Sequence, residues 1–432
     1  MSTAARRQVR SAVVVSAVDP YPADSGKSVV LTGFLRHLRD RLGPENVHYI
    51  HVGGRPVADL TPFEGVTVHE VGGPRAAERL RAVVVEAGLR RRSLQETFLS
   101  SPHVAGCVRR VLAGLDADLE IVDTVRMLQH VGPPPARRRR VLYLDDLFSV
   151  RYRRMLDVID SGVDVSGFDP LGQFGRNIPA PLRGLTRVPV TRRMLLQLES
   201  RRVARSEREA ATEAELSILL NEDEAAGLRR QTGGDVAVLP PWVPQRPASA
   251  HEWDGRPEYV FMGLLSLPHN HDGVMWFLRH GLSHLLARRP DARLHIIGRD
   301  ASEELLAEAA RHGDHVVVHG YVEDLDEALM TRCALVNPLR FGSGVKIKTL
   351  DSLARGIPIV ATAFGIEGIT TTSVPGVRLV ADAAEAGQAL AELADPQVRA
   401  RESQGAREFY DARFAEPAIR RAYDEAFGTA AR

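Results

Sequence analysis

The run Gly342-Ser343-Gly344-Val345-Lys346-Ile347-Lys348 sets three residues of little side-chain bulk ahead of two lysines, and Asp351 follows Lys348 by three positions. Upstream, Ala334-Leu335-Val336-Asn337 is a short apolar run closed by Pro338, which reads as a buried strand. Downstream, Val345, Leu350, Leu353 and Ala354 recur at helical spacing until Gly356 and Pro358 stop the helix. Ile359-Val360-Ala361-Thr362 reads as the next strand. The glycine loop therefore opens onto a helix N-terminus, where free backbone N–H groups and the helix dipole attract an anion. Lys346 and Lys348 add fixed positive charge. Asp351, on the same helical face as Lys348, offers a carboxylate to hydroxyl groups. Cations for phosphate beside an acid for ribose are what a nucleotide diphosphate needs. The competing reading is an ordinary glycine turn with two solvated lysines.

Other candidates stand at the ends of strand-like runs. Gly26-Lys27-Ser28 follows the apolar run at Ser11–Ala17, but a Walker A loop needs glycine five positions before Gly26, and Tyr21 is there. Gly26 can still let the backbone approach a phosphate, or it can serve the turn alone. Arg126 and His130 follow Leu119–Asp123, and Asp145 and Asp146 follow Val141–Leu144. These are carboxyl ends of strands, where open α/β sheets hold ligands. For Asp145 and Asp146 the alternative is helix N-capping. Arg137–Arg140 reads as a solvated turn or a docking patch for an acidic partner.

A chain of 432 residues is long enough for two or three domains. Its 56 Lys+Arg balance 55 Asp+Glu, which argues against bulk nucleic-acid binding. Two cysteines, Cys107 and Cys333, make neither a disulfide framework nor a metal cluster and read as core thiols. The apolar run Ala12–Val18 is too short to span a membrane and lacks a cleavage pattern, so a cytoplasmic protein without stable membrane insertion is expected.

The elements that must position these residues alternate along the chain. Strand-like runs at 11–17, 47–52, 66–71, 119–123, 141–144, 216–220 and 236–239 are interleaved with helical periodicity at 29–42, 76–89, 95–115 and 191–214. A Gly- and Pro-rich stretch over 160–190 reads as an irregular excursion, and 240–251 as a linker. The second half repeats the alternation, with strands expected at 259–262, 292–298, 316–322, 334–337, 359–362 and 377–380. Helices are expected there at 272–287, 325–330, 383–393, 396–414 and 417–427. Such alternation predicts two doubly wound parallel sheets.

Four ordered blocks of the second half resemble retaining glycosyltransferases of family 4. They are Phe261-Met262-Gly263 with Pro268-His269-Asn270, then Leu294-His295-Ile296-Ile297-Gly298, Val318-His319-Gly320-Tyr321-Val322, and Pro338 to Thr362 with Gly365. The resemblance implies an α/β GT-B fold, two Rossmann-like doubly wound domains facing across a cleft. Residues 1–244 would bind the acceptor and 245–414 the nucleotide sugar, with 415–432 crossing back to the first domain. It further implies transfer of a sugar, with retention, from a UDP-, GDP- or TDP-linked donor to a small-molecule or glycan acceptor, in natural-product or glycan biosynthesis. Neither a metal nor another cofactor is expected, and the protein would be a monomer or homodimer.

On this reading the amides of Gly342, Ser343, Gly344 and Val345 take the diphosphate with Lys346 and Lys348. Asp351 takes ribose, and Tyr321 and Val322, with Asn270 nearby, border the nucleotide. Asp145, Asp146 or His130 would orient the acceptor. Two departures stand out. The family's two glutamates, eight positions apart, are here Ser343 and Asp351, and Pro268-His269-Asn270 stands where an Arg/Lys pair is usual. The alternatives are a nucleotide-sugar-binding protein without transfer and an inverting GT-B enzyme. A Rossmann oxidoreductase is disfavoured because no G-x-G-x-x-G follows the first strand.

Overall fold

The computed structural model describes residues 8–23, 26–53, 64–75, 78, 92–160, 189–242, 253–342 and 345–429. The expected helix at 76–89, the excursion at 160–190, the linker at 240–251 and the pair Ser343-Gly344 fall largely or wholly outside them. Two compact units divide the chain. The first gathers the described residues up to Leu156, those from 189 to Trp242, and the terminal segment from Glu416; the second holds 157–160 and those from 253 to Ala415.

In the first unit β1 (Ala12–Ser16), β2 (Val47–Gly53), β3 (Thr67–Gly72), β4 (Leu119–Asp123), β5 (Arg139–Asp145), β6 (Leu216–Leu219) and β7 (Val236–Val238) form one sheet. Its order is β3-β2-β1-β4-β5-β6-β7, with every pairing parallel. Ala12 sits opposite Val47 on one side and Leu119 on the other. A central parallel strand is covered on both faces, which is why Val13-Val14-Val15 is continuously apolar and fully buried.

The single helix expected over 95–115 is two. Leu94–Thr97 is opened by a Ser93–Glu96 capping box, and Pro102–Gly114 by Ser101, whose hydroxyl accepts the Val104 amide. Proline at the first position of the second helix cannot continue the first. That helix buries Val104, Val108 and Leu112, so Cys107 falls beside the stripe and is only half-buried, with Sγ 3.1 Å from Arg110. Cys333 alone lies in a core.

The terminal helix Glu416–Phe427 packs on Gly26–Leu42 within the first unit. Phe34 meets Tyr423 and Phe427 edge-on at 5.4 and 5.2 Å, and each such pair contributes about 0.5–1.5 kcal/mol beyond its area. Arg41 donates to Asp424 at 2.9 Å. Burial there lowers His37 to about 4, so the ring stays neutral beside Thr429.

The second unit repeats the plan. β8 (Glu258–Met262), β9 (Arg293–Ile297), β10 (Val316–Gly320), β11 (Ala334–Asn337), β12 (Ile359–Ala361) and β13 (Val377–Leu379) are ordered β10-β9-β8-β11-β12-β13, again parallel throughout. The helix expected from 272 starts at Pro268, where a missing N–H costs nothing, and a π turn at Phe277–Gly281 leads to Leu282–Leu286. Helix Ala383–Leu393 approaches that turn closely: a side chain on Gly387 would put its Cβ 2.7 Å from the Gly281 carbonyl. Among the described residues no helix is long and apolar enough to cross a membrane.

Candidate functional site

In the second sheet β8 and β11 are neighbours, while the chain leaves β8 toward β9 on the other side. Loops leaving β8 and β11 diverge, and the crevice beyond their carboxyl ends is the ligand position of open α/β sheets. Two helices start there, Pro268–Trp276 and Ile347–Ala354. Lys348 joins them. Its Nζ donates to Asn270 Oδ1 at 2.9 Å and lies 4.1 Å from the Phe261 ring centroid. The Asn270 Nδ2 donates to the Leu264 carbonyl at 3.0 Å, which turns Oδ1 toward the lysine. Burial, then the nearby charge of Lys346, pushes the Lys348 amine well below the ordinary lysine range.

Lys346 is buried and immediately precedes the helix. Its Nζ comes so close to the turn that a Cβ on Gly342 would lie 3.4 Å away, and Gly342 has φ +138°, a conformation that suits glycine. The scaffold around the lysines is stiff. Asn337 Nδ2 donates to Thr349 Oγ1 at 3.1 Å and to the Gly365 carbonyl at 2.7 Å, and Thr349 Oγ1 donates to the same carbonyl at 3.0 Å. These buried groups tie the end of β11, the lysine helix and the loop after β12 into one network. Gly273 lets helix and loop touch, since a Cβ there would sit 2.9 Å from the Pro338 carbonyl. Arg340 clamps the same contact by donating to Asp272 at 2.8 Å.

Asp351 lies one turn beyond Lys348 and is ion-paired with Arg355, which also donates to Asp326 at 2.8 Å. The i,i+4 spacing of Asp351 and Arg355 carried this signal, and the sequence reading missed it. Tyr321 is 57% exposed at the end of β10, and the Arg299 guanidinium lies 5.4 Å from its ring centroid. Val322 beside it is half-buried. β10 lies two strands from β8, about 10 Å at the usual spacing, so a ligand touching both Tyr321 and Lys348 would run along the sheet edge. Ser343 and Gly344 lie outside the described residues.

The first sheet has its own crevice, beyond β1 and β4. Lys27 Nζ is 2.8 Å from Asp123 Oδ1 and 3.8 Å from Asp145 Oδ2. Ser16 donates to Asp123 and the Tyr143 hydroxyl to Asp145, both at 2.7 Å. Thr124 and Asp145, at the ends of β4 and β5, have φ of +66° and +69°. Non-glycine residues rarely adopt that conformation, and such strain collects at functional sites. Burial raises the proton affinity of Asp145, with Lys27 opposing.

The other candidates of this unit lie apart from Lys27. Asp146 is buried and accepts from Arg151 Nε at 3.0 Å. At the start of the following helix Glu224 accepts the Leu147 amide at 2.8 Å and Glu207 the Ser149 amide at 3.3 Å. His130 is buried in the last turn of Thr124–Val131, seven residues or about 10 Å along the helix from Asp123, and burial lowers it to about 4. Gly26 is exposed at the first turn of Gly26–Leu42. Lys27, a lysine in the first turn after β1, was passed over when the Walker pattern failed. Among the described residues no three His, Cys, Asp or Glu side chains gather into a metal-binding group.

Residues 256–395 match a family model described as Glycosyl transferases group 1, a span that contains the β8–β11 crevice and both lysines. An uncharacterized 44.6 kDa protein in the cps region of Klebsiella pneumoniae is 30% identical over 118 residues, which cover 26% of this chain and 30% of that protein. Sucrose-phosphate synthase from Thermosynechococcus elongatus has a TM-score of 0.62 at 16% identity, covering 98% of this chain and 100% of its own. Anabaena HepE, solved with UDP and glucose, has 0.62 at 14% identity and the same coverage. TarM has 0.57 at 11% identity, with 77% of this chain covered and 60% of TarM. At such identities the likeness establishes architecture, and the architecture is GT-B. A group 1 match over the second unit, on that fold, supports sugar transfer.

Proposed function

We propose that this protein transfers a sugar from a nucleoside-diphosphate sugar to an acceptor with retention of anomeric configuration. One observation carries the reading: Lys348, desolvated on the Phe261 ring and anchored by Asn270, faces the crevice between β8 and β11 beside the Lys346–Gly342 turn. A cation held out of water by a neutral amide and an aromatic face suits a ligand that brings its own negative charge. The diphosphate would bind Lys346, Lys348 and the amides of Gly342 and Val345. Asp351, steadied by Arg355, would take ribose, and the base would lie toward Tyr321 and Val322. HepE was solved with UDP, which makes a UDP-sugar the first donor to try.

The bond from the anomeric carbon to the β-phosphate oxygen breaks, and a bond to the acceptor forms on the same face. The departing phosphate takes the acceptor proton, so no protein base is required. Charge growing on that phosphate is stabilised by lysines in a dry crevice, where such pairing is worth far more than in water. Asp145, fixed by Tyr143 and Lys27, is the group in the first unit suited to orienting an acceptor hydroxyl. Its raised proton affinity also favours a second reading, in which it acts as general base and the anomer inverts.

A thermal-shift screen of UDP-, GDP- and TDP-sugars identifies the donor, and NMR of the product anomer then decides between retention and inversion. Stabilisation by none of the three nucleotides contradicts the donor site. Donor binding without hydrolysis or transfer to any acceptor pool points instead to a binding protein.

A further inference from the structure

The first unit also holds a cavity of about 390 Å³, walled by helices Phe148–Asp160, Pro189–Glu213 and Glu222–Thr232. Four arginines, Arg153, Arg154, Arg201 and Arg208, line it. Among the described residues no carboxylate lies within ion-pair distance of Arg153, Arg201 or Arg208. We infer that this cavity binds an anionic group, a phosphate or carboxylate borne by a sugar-sized ligand, and that the ligand is the acceptor. The volume falls within the range of small-molecule sites, about 300–1,000 Å³. Guanidinium groups are the side chains that fork onto carboxylate and phosphate oxygens.

Four arginines outnumber the three acids in the lining, and two of those acids are turned onto backbone amides. Glu207 is committed to the amide and hydroxyl of Ser149, and burial pushes it up to about 8, so it is mostly protonated at neutral pH. Glu224 is buried and turned onto the Leu147 amide. Asp223 is exposed at the lining and is the one acid there open to water. Placement supports the acceptor assignment. Leu147, in the lining, is two residues from Asp145, so the chain between them spans at most about 7 Å. An acceptor could hold its anion on the arginines with a hydroxyl toward Asp145. The acceptor role rests on the sugar-transfer reading; anion binding does not.

Calorimetric titration of the full chain with glucose 6-phosphate, glucuronate and glucose tests the site, with UDP as a separate titrant for the donor crevice. At least one acidic sugar should bind, and glucose should not. Arg201→Ala with Arg208→Ala should weaken that binding by about tenfold or more while leaving UDP affinity within about twofold. Lys348→Ala should do the reverse. UDP binding in each sample also reports folding; should the double variant lose it, Arg153→Ala carries the same comparison. The inference is overturned if neither acidic sugar binds better than glucose, if the arginine variants keep wild-type affinity, or if the loss follows Lys348→Ala instead. Failure of UDP alone would remove the donor reading and leave the anion site standing.

Discussion

The two sheets share one winding plan, yet their crevices treat a lysine in opposite ways. Lys27 beyond β1 is held by two carboxylates, Asp123 and Asp145. Lys348 beyond β11 is held by the Asn270 amide oxygen and the face of Phe261. The first lysine has its countercharge built in and serves to fix the acids. The second is left desolvated, with its protonation disfavoured. Equal folds therefore do not make equal sites; the partner supplied to the cation differs between the two sheets, and on the proposed reading that difference selects the second for the diphosphate.

Replacing Lys348 should break this contrast most severely. Lys348→Met is expected to lower turnover by about 100- to 1,000-fold, the usual scale for losing one electrostatic stabiliser of a transition state. The same variant should be more stable without ligand. A lysine whose folded pKa is lowered makes the unfolded state bind more protons, so the wild-type protein gains stability as pH rises through the window between the two pKa values. Removing the amine removes that cost at neutral pH, and thermal melting should rise by about 2–4 °C per kcal/mol recovered. An unchanged rate together with a lower melting point would contradict both halves of the argument.

Asp145→Asn probes the other crevice. Its expected effect is about tenfold on kcat/KM for the acceptor with donor affinity untouched, since Tyr143 and Lys27 lose the carboxylate they position. A change in donor binding would undo the division of labour between the two sheets.

Gly342→Ala should cost about 1–3 kcal/mol of local strain and raise the donor KM several-fold, because φ is +138° and the Lys346 amine lies 3.4 Å from the new methyl position. Steady-state kinetics and thermal melting read the two effects separately. The smallest effect is expected for Asp351→Asn. It should weaken nucleotide binding by about tenfold or less, because Arg355 retains Asp326 and holds the helix in place.

Much of this architecture was legible in the sequence. Val13-Val14-Val15 and Leu335-Val336 are continuous apolar runs because parallel strands are covered on both faces, and their alternation with amphipathic segments gave the fold class. The glycine turn and its lysines were legible because they are contiguous. What escaped depends on strand order. Lys27 meets Asp123 only because β1 and β4 are neighbours, and no local pattern links residues so far apart. His130 looked like a residue at a strand end, yet it lies along the buried face of its helix. Glu207 and Glu224 cap a helix that precedes them in the chain, so the N-cap reading of Asp145 and Asp146 had no way to anticipate them. The Ser101-Pro102 break and the Asp351–Arg355 pair, by contrast, were local and readable.

The central claim is that a diphosphate docks on the Lys348 amine, whose protonation burial disfavours in the free protein and a bound anion restores. Calorimetric titration of UDP in two buffers of different ionisation enthalpy measures this directly. The account predicts net proton uptake on nucleotide binding, and loss of both that uptake and most affinity in Lys348→Met. Equal UDP affinity in wild type and variant, with no buffer dependence in either, would contradict it.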